Sequence, residues 1–194
     1  MTSATEQDIR GARVVRTVPN LVTVVRTIAA VVLGVAALRN HSAQLLLAAY
    51  AIYWGGDILD GWCARRLHQE TRIGAVLDIV SDRACMAVLA GAYLDLRPQA
   101  AAPMCVFLLQ FMVLDCVLSL AFLGWPIKSP NDFHVVDRLV HRLNWSPPAK
   151  ALNTSAVVLA MLTGWMTVAL CLGLGLIAVK SWSAKRTLVL KDWS

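Results

Sequence analysis

Long apolar runs occupy most of this chain, and they restrict its possible folds more than any other feature of the sequence. They lie at about 18–38, 42–63, 74–94, 101–123 and 151–180. A helix needs about 20 apolar residues to cross the hydrocarbon core of a bilayer. The composition agrees, because 58% of the residues are hydrophobic and 15% are charged, against about 25% charged residues in a soluble domain. The runs predict an all-α, polytopic membrane protein.

The last apolar region is long enough either for one long helix or for a tight hairpin. A turn near Gly164-Trp165 leaves room for two helices if the first begins near Pro147 and the second extends past Lys180. The ammonium group of Lys180 would then snorkel toward the membrane surface. We therefore predict six transmembrane helices.

The predicted helices form one membrane domain at 18–187. A cytoplasmic segment at 1–17 carries a weak amphipathic pattern, which favours a short helix lying on the membrane surface, and a cytoplasmic tail follows at 188–194.

With the N-terminus inside, the outer loops hold only Arg39 and Arg97 of the 18 Lys and Arg residues. This asymmetry follows the positive-inside rule. The net charge of +6 therefore indicates topology and membrane lipids as partners, and no nucleic acid is expected.

Acidic residues interrupt two of the apolar runs. Four of them lie at or near helix ends, and they are Asp57, Asp60, Asp78 and Asp82. Each ionisable residue in a membrane helix costs about 2.5–3.5 kcal/mol on insertion scales, so this group requires neutralisation. Spacings of three and four residues put each pair on one helix face, and a short inner loop makes the two helices antiparallel. We expect the four carboxylates to meet near the cytoplasmic surface.

Carboxylate oxygens are hard ligands that suit Mg²⁺ or Mn²⁺. Two such ions would balance four negative charges and could stabilise both the attacking and the leaving oxygen of a phosphoryl transfer. Gly61 and Gly74 let a bulky polar ligand approach the backbone, Arg65 could pair with a phosphate, and Thr71 adds a hydroxyl group. Two alternatives stay open. The acids could pair with the neighbouring arginines, or they could form the ion pathway of a cation transporter.

The same stretch resembles the signature of the CDP-alcohol phosphotransferases, D-x2-D-G-x2-A-R-x8-G-x3-D-x3-D. It is filled without a departure by Asp57, Asp60, Gly61, Ala64, Arg65, Gly74, Asp78 and Asp82. A chance match in such a chain is on the order of one in ten million. The resemblance implies a six-helix membrane enzyme, often a homodimer, whose site opens to the cytoplasmic face. It also implies CDP-diacylglycerol and an alcohol acceptor as substrates.

The resemblance also implies a role for each motif residue. Asp57, Asp60 and Asp78 match the ligands of a first metal ion, and Asp78 and Asp82 match those of a second. Asp82 matches the proposed general base, which takes a proton from the acceptor hydroxyl as it attacks the β-phosphorus of the donor and expels CMP. Ala64 and Gly74 complete the motif, and the positions that match contacts with the CDP group are Gly61, Arg65 and Thr71.

The first apolar run adds a second likeness. It begins with Pro19-Asn20 and continues to Thr23 and Arg26, which resembles the family's opening PNxxTxxR. Asn20, Thr23 and Arg26 lie roughly on one side of a helix, and we expect Asn20 and Thr23 to join the CDP site. Arg26 needs a partner inside an apolar helix, and the nucleotide or an aspartate could supply it. The alternative is helix capping by Asn20 with a snorkelling arginine.

The acceptor is less well defined by the sequence. Residues 70–83 resemble the inositol-using branches, in which TRFGAxLDxxxDR is typical. The basic stretch that inositol-phosphate-using enzymes carry after the fourth span is absent, and only Lys128 stands nearby. We expect a polyol acceptor, with inositol favoured and Asp115 and Lys128 as candidate contacts, although Asp115 could instead be a paired buried acid. Phosphatidylglycerophosphate, phosphatidylinositol phosphate and cardiolipin synthases remain alternatives.

Overall fold

The computed structural model describes residues 17–192, which are mostly helical and contain no β-strand. The chain divides into two compact units, and the boundary follows Leu96. The described residues of the first unit form three long helices, α1 (Val18–Arg39), α2 (Ala43–Arg66) and α3 (Arg72–Leu96). Their bounds lie within a few residues of the first three apolar runs. The helix predicted on the membrane surface within 1–17 lies outside the described residues, apart from the final Thr17.

Hydroxyl side chains begin all three helices of the first unit. Thr17, Ser42 and Thr71 each accept a hydrogen bond from a backbone N–H in the first turn of the helix that follows. Such caps satisfy amide groups that have no partner within the helix. His41 and His68, with φ of 46° and 54°, lie in the turns that follow α1 and α2. α1 packs against both α2 and α3, so its polar side chains can reach both.

Besides a short 3₁₀ helix at Pro130–Val135, the described residues of the second unit form four helical segments. They are α4 (Pro98–Gly124), α5 (Arg138–Asn144), α6 (147–162) and α7 (Met166–Asp192). α4 and α6 each contain a π-helical turn, at Leu109–Asp115 and at Ala151–Ala156. The chain reverses between α6 and α7 at Gly164, whose φ of 82° lies in a region that glycine adopts without strain. The structure therefore has the predicted turn near Gly164-Trp165.

Three helices within the described residues are long and apolar enough to cross a membrane. They are Val18–Arg39, Pro98–Gly124 and Met166–Leu190. α1 exposes large apolar side chains such as Leu21 and Ile28, at 64% and 60%, and such a surface suits lipid tails. The protein is therefore an all-α integral membrane protein, as predicted. α2 and α3 are also long, with 24 and 25 residues, but they carry several ionisable residues and are not among these three helices. The count of six spans stays a prediction.

The position of the Lys180 side chain differs from the one predicted from the sequence. The side chain does not snorkel, because it is fully buried within the second unit. Lys180 Nζ lies 2.5 Å from Asp115 Oδ1 on α4. A carboxylate at this distance neutralises the ammonium group where it stands, so the side chain has no need to reach the membrane surface.

Candidate active site

The four motif aspartates lie on two helices of the first unit. α2 carries Asp57 and Asp60, and α3 carries Asp78 and Asp82. One carboxylate oxygen from each of Asp57, Asp60 and Asp78 lies within 4.8 Å of the others. Asp82 joins them through a shared partner on α1. The structure thus brings together the acids that helical spacing placed on common faces.

That shared partner is Arg26, whose side chain is 3% exposed. Its Nε donates to Asp60 Oδ2 at 2.7 Å. Its Nη2 lies 2.5 Å from Asp78 Oδ1, 3.1 Å from Asp82 Oδ1 and 3.4 Å from Asp57 Oδ1. One guanidinium group therefore contacts all four acids. It supplies one positive charge against the four carboxylates.

Two neighbouring residues, Thr23 and Gly56, hold Arg26 and Asp60 in contact. The hydroxyl group of Thr23, one turn before Arg26, donates to Asp60 Oδ2 at 2.7 Å. Gly56 makes room for the arginine, because a Cβ at this position would lie 2.6 Å from both Cβ and Cδ of Arg26. Asp60 is thereby held from α1 by two donors.

The cluster is suited to divalent metal ions because of its ligand atoms and because part of it is exposed. All its candidate ligands are carboxylate oxygens, which Mg²⁺ and Mn²⁺ prefer over softer metals. The side chains of Asp57 and Asp78 are 40% and 38% exposed, whereas that of Asp60 is 6% exposed. The site therefore has one enclosed acid and an accessible side by which an ion or a phosphate can enter.

Apart from Thr23, which contacts Asp60, the residues predicted to contact the CDP group lie in two places, the first of which also includes the motif residue Gly74. Asn20, Thr71 and Gly74 meet at the start of α3. A Cβ at Gly74 would lie 2.8 Å from Asn20 Oδ1 and 2.9 Å from Thr71 Oγ1, so glycine is required for this close approach. Thr71 Oγ1 accepts from the Gly74 N–H at 3.0 Å and thus also caps α3.

The second place is at the end of α2. The exposed guanidinium group of Arg65 lies over Gly61, because a Cβ at Gly61 would be 3.3 Å from Arg65 Nη1. Ala64 is half-buried beside it. Arg65 is thus positioned at the surface near the accessible side of α2, and its contact with CDP stays a prediction.

The candidate acceptor residues belong to the second unit. Asp115 pairs with Lys180 at 2.5 Å, which matches the alternative of a paired buried acid. Lys128 is exposed in the segment that follows α4. Neither observation tests a role in acceptor binding, which stays a prediction for both residues.

Sequence reasoning missed two features of the site. It treated Arg26 as needing one partner, whereas the arginine contacts four acids. The available signal was an arginine within an apolar helix that precedes two acid-bearing helices. It also gave no role to Gly56, whose only signal is its position next to Asp57.

Together these features define an all-α membrane protein with a carboxylate cluster suited to divalent metal ions. Residues 16–179 match the family model of the CDP-alcohol phosphatidyltransferases. The match covers most of the chain, so this protein belongs to that family. No solved structure matches the chain significantly.

Curated relatives point to one branch of the family. The CDP-diacylglycerol–inositol 3-phosphatidyltransferase of Candida albicans is 37% identical over 81 residues, which make up 42% of this chain and 34% of that protein. A probable CDP-diacylglycerol–inositol 3-phosphatidyltransferase 2 of Arabidopsis thaliana is 35% identical over 98 residues, or 50% of this chain and 40% of that protein. The chain thus spans well under half of the length of these relatives.

Proposed function

We propose that this protein transfers the phosphatidyl group of CDP-diacylglycerol to a polyol hydroxyl and releases CMP, with inositol as the favoured acceptor. The observation that carries the proposal is the convergence of four carboxylates on Arg26 in a chain of the CDP-alcohol phosphatidyltransferase family. Inositol is favoured because the curated relatives are named as inositol phosphatidyltransferases.

The proposed cofactors are two Mg²⁺ or Mn²⁺ ions. Asp57, Asp60 and Asp78 would hold the first ion, and Asp78 and Asp82 the second. Bound there, the ions would offset the charge of the donor diphosphate and stabilise the entering and leaving oxygens. The excess of acid over Arg26 supports this assignment, because one guanidinium balances only one of the four charges.

Asp82 is the proposed general base. Its carboxylate accepts the proton of the acceptor hydroxyl while that oxygen forms a bond to the β-phosphorus, and the bond from this phosphorus to the CMP oxygen breaks. CMP leaves with the electron pair. An alcohol with a pKa of about 15 needs such a base at neutral pH. The side chain of Asp82 is 21% exposed, so an acceptor can reach it.

The other site residues are proposed to bind the substrates. Gly61, Arg65 and Thr71 would contact the CDP group, and two residues of α1, Asn20 and Thr23, would border it. The candidates for the acceptor are Asp115 and Lys128.

The proposal includes a topology and an assembly. Residues 18–187 would form one six-helix domain, with the active site open to the cytoplasm, and the protein would act as a homodimer. The distribution of basic residues supports the orientation, since Arg65 and Arg66 are exposed at the end of α2 close to the acids.

An assay of CMP release from CDP-diacylglycerol by the purified protein tests the function. The acceptors are inositol, inositol phosphate, glycerol phosphate, serine and phosphatidylglycerol, each with Mg²⁺, with Mn²⁺ and with EDTA. We expect release with inositol and a divalent ion, and none in EDTA. Release with another acceptor would assign a sister activity of the family. Absence of release with every acceptor would contradict the proposal, and metal-ion flux in vesicles would then favour a cation transporter.

A further inference from the structure

We propose that Arg26 is a resident counter-cation of the aspartate cluster, and that divalent metal ions displace its Nη2 group from shared carboxylate oxygens when they bind. The proposal rests on the metal site of the proposed function and adds a residue that is not itself a ligand. Arg26 is a positioning residue, which holds the acids together and competes with the ions.

The position of Nη2 carries the argument. This nitrogen lies 2.5 Å from Asp78 Oδ1, 3.1 Å from Asp82 Oδ1 and 3.4 Å from Asp57 Oδ1. Three carboxylate oxygens around one atom form the surroundings that a bridging cation requires. Mg²⁺ draws its oxygen ligands to about 2.0–2.1 Å, so an ion that shares these oxygens leaves no room for the nitrogen. Metal binding by this set and the Nη2 contacts therefore exclude each other.

The other nitrogens show which end of the guanidinium can leave. Nη1 is buried and has no hydrogen-bond partner among the described residues, although a guanidinium nitrogen in the interior ordinarily donates. Nε is held by Asp60 Oδ2 at 2.7 Å, and Thr23 donates to the same oxygen. The Nε side is thus anchored, whereas the Nη side combines shared contacts with an unsatisfied donor.

Two adjacent glycines provide a matched pair of variants. A Cβ at Gly56 would lie 2.6 Å from two carbon atoms of Arg26, whereas a Cβ at Gly55 would meet nothing within 4 Å. Gly56→Ala and Gly55→Ala make the same chemical change in the same turn of α2. Only Gly56→Ala places a carbon atom against the side chain of Arg26. A difference in metal affinity or stability between the two variants is therefore due to a change at the arginine.

The positive charge of Arg26 determines whether its removal strengthens or weakens metal binding. A positive group about 4 Å from a bound dication opposes its binding even in a high-dielectric setting. Loss of that group therefore tightens metal binding. It also leaves four carboxylates without their shared cation, which lowers the stability of the metal-free protein. A residue with only a structural role would lower stability equally with and without metal.

The test measures Mn²⁺ binding to the purified full chain by the EPR signal of free Mn²⁺, without CDP-diacylglycerol. The melting temperature is recorded in EDTA and in saturating Mn²⁺. We expect Arg26→Gln to bind Mn²⁺ at least about tenfold more tightly than the wild type. We also expect a lower melting temperature than the wild type in EDTA, and a larger increase on adding Mn²⁺.

The outcomes separate this inference from the proposed function. Wild-type protein that binds no Mn²⁺ would overturn both. Wild-type binding with an equal or weaker affinity in Arg26→Gln would overturn the competition alone. If Arg26→Gln does not fold, the comparison of Gly56→Ala with Gly55→Ala tests the proposal instead. Gly56→Ala should then bind Mn²⁺ more tightly than Gly55→Ala and melt at a lower temperature in EDTA, and equal affinities would refute the proposal.

Discussion

The first and second units of the chain both bury charge, but they balance it differently. In the first unit, Arg26 alone contacts four carboxylates. In the second unit, two ion pairs each join one cation to one acid. Lys180 pairs with Asp115, and Arg186 pairs with Asp137, both at 2.5 Å. The first arrangement sets one cation against four acids, whereas each pair of the second sets one cation against one acid.

This difference separates a site from a structural contact. A one-to-one pair needs no further ion, and its removal as a unit can leave stability nearly unchanged. An excess of acids in a membrane helix is unfavourable unless a ligand balances it, so it marks function. The accessibility agrees with this distinction, because Asp57 is 40% exposed and Asp137 is 5% exposed.

The largest effect should come from Asp82→Asn in the first unit. We expect CMP release to fall about 10²–10⁴-fold, since a general base contributes that much. The metal-free melting temperature should not fall, because the change removes one of four mutually repelling charges. The matched control is Asp95→Asn, which alters the same residue type near the other end of α3, where Asp95 contacts His41 at 2.6 Å. Normal turnover by Asp82→Asn would remove the proposed base.

The second effect concerns the buried pair of the second unit. Lys180→Met should lower the free energy of unfolding by about 3–5 kcal/mol, because it removes the ammonium group that Asp115 contacts in the interior. The double variant Lys180→Met/Asp115→Leu should recover most of this loss in a denaturant titration. Equal stability of the single and double variants would show that the pair is not coupled. An unchanged KM for the acceptor in the double variant would remove Asp115 from the acceptor site.

The smallest effect should come from Asp137, which caps α5 and lies outside the membrane spans. Burial raises the pKa of this carboxyl, but the hydrogen bond from Arg186 and those from the amides of Val140 and Leu139 outweigh it, so the pKa lies below its ordinary value. A lowered folded-state pKa contributes stability above the unfolded value of about 3.9, and this is lost as the pH falls through the folded value.

Asp137→Asn should therefore destabilise the protein by about 1 kcal/mol at neutral pH, a modest value because Arg186 is partly exposed. Melting curves from pH 6 to pH 3 should show a smaller loss of stability in the variant than in the wild type below about pH 4. Parallel pH profiles for the two proteins would contradict the assigned cause.

The sequence predicted the helices and the acid cluster because both follow from local periodicity. Spacing of three and four residues placed Asp57 with Asp60 and Asp78 with Asp82, and one short loop brought the two pairs together. The turn at Gly164 was predictable for a similar reason, since glycine takes a positive φ readily.

The remaining contacts depend on packing between distant parts of the chain. Lys180 and Asp115 are 65 residues apart, and a π-helical turn ends at Asp115, so helical periodicity alone could not place its side chain. The four-way contact of Arg26 needs the close approach of α1 and α2 at Gly56. No local pattern encodes such an approach.

The unequal exposure of the four acids has a consequence for the order of events. Asp60 lies at the closed end, with 6% of its side chain exposed, while Asp57 and Asp78 lie at the open end. An incoming ion would meet the carboxylates of Asp57 and Asp78 first and that of Asp60 last. Metal ions would therefore enter and leave the cluster by the same side.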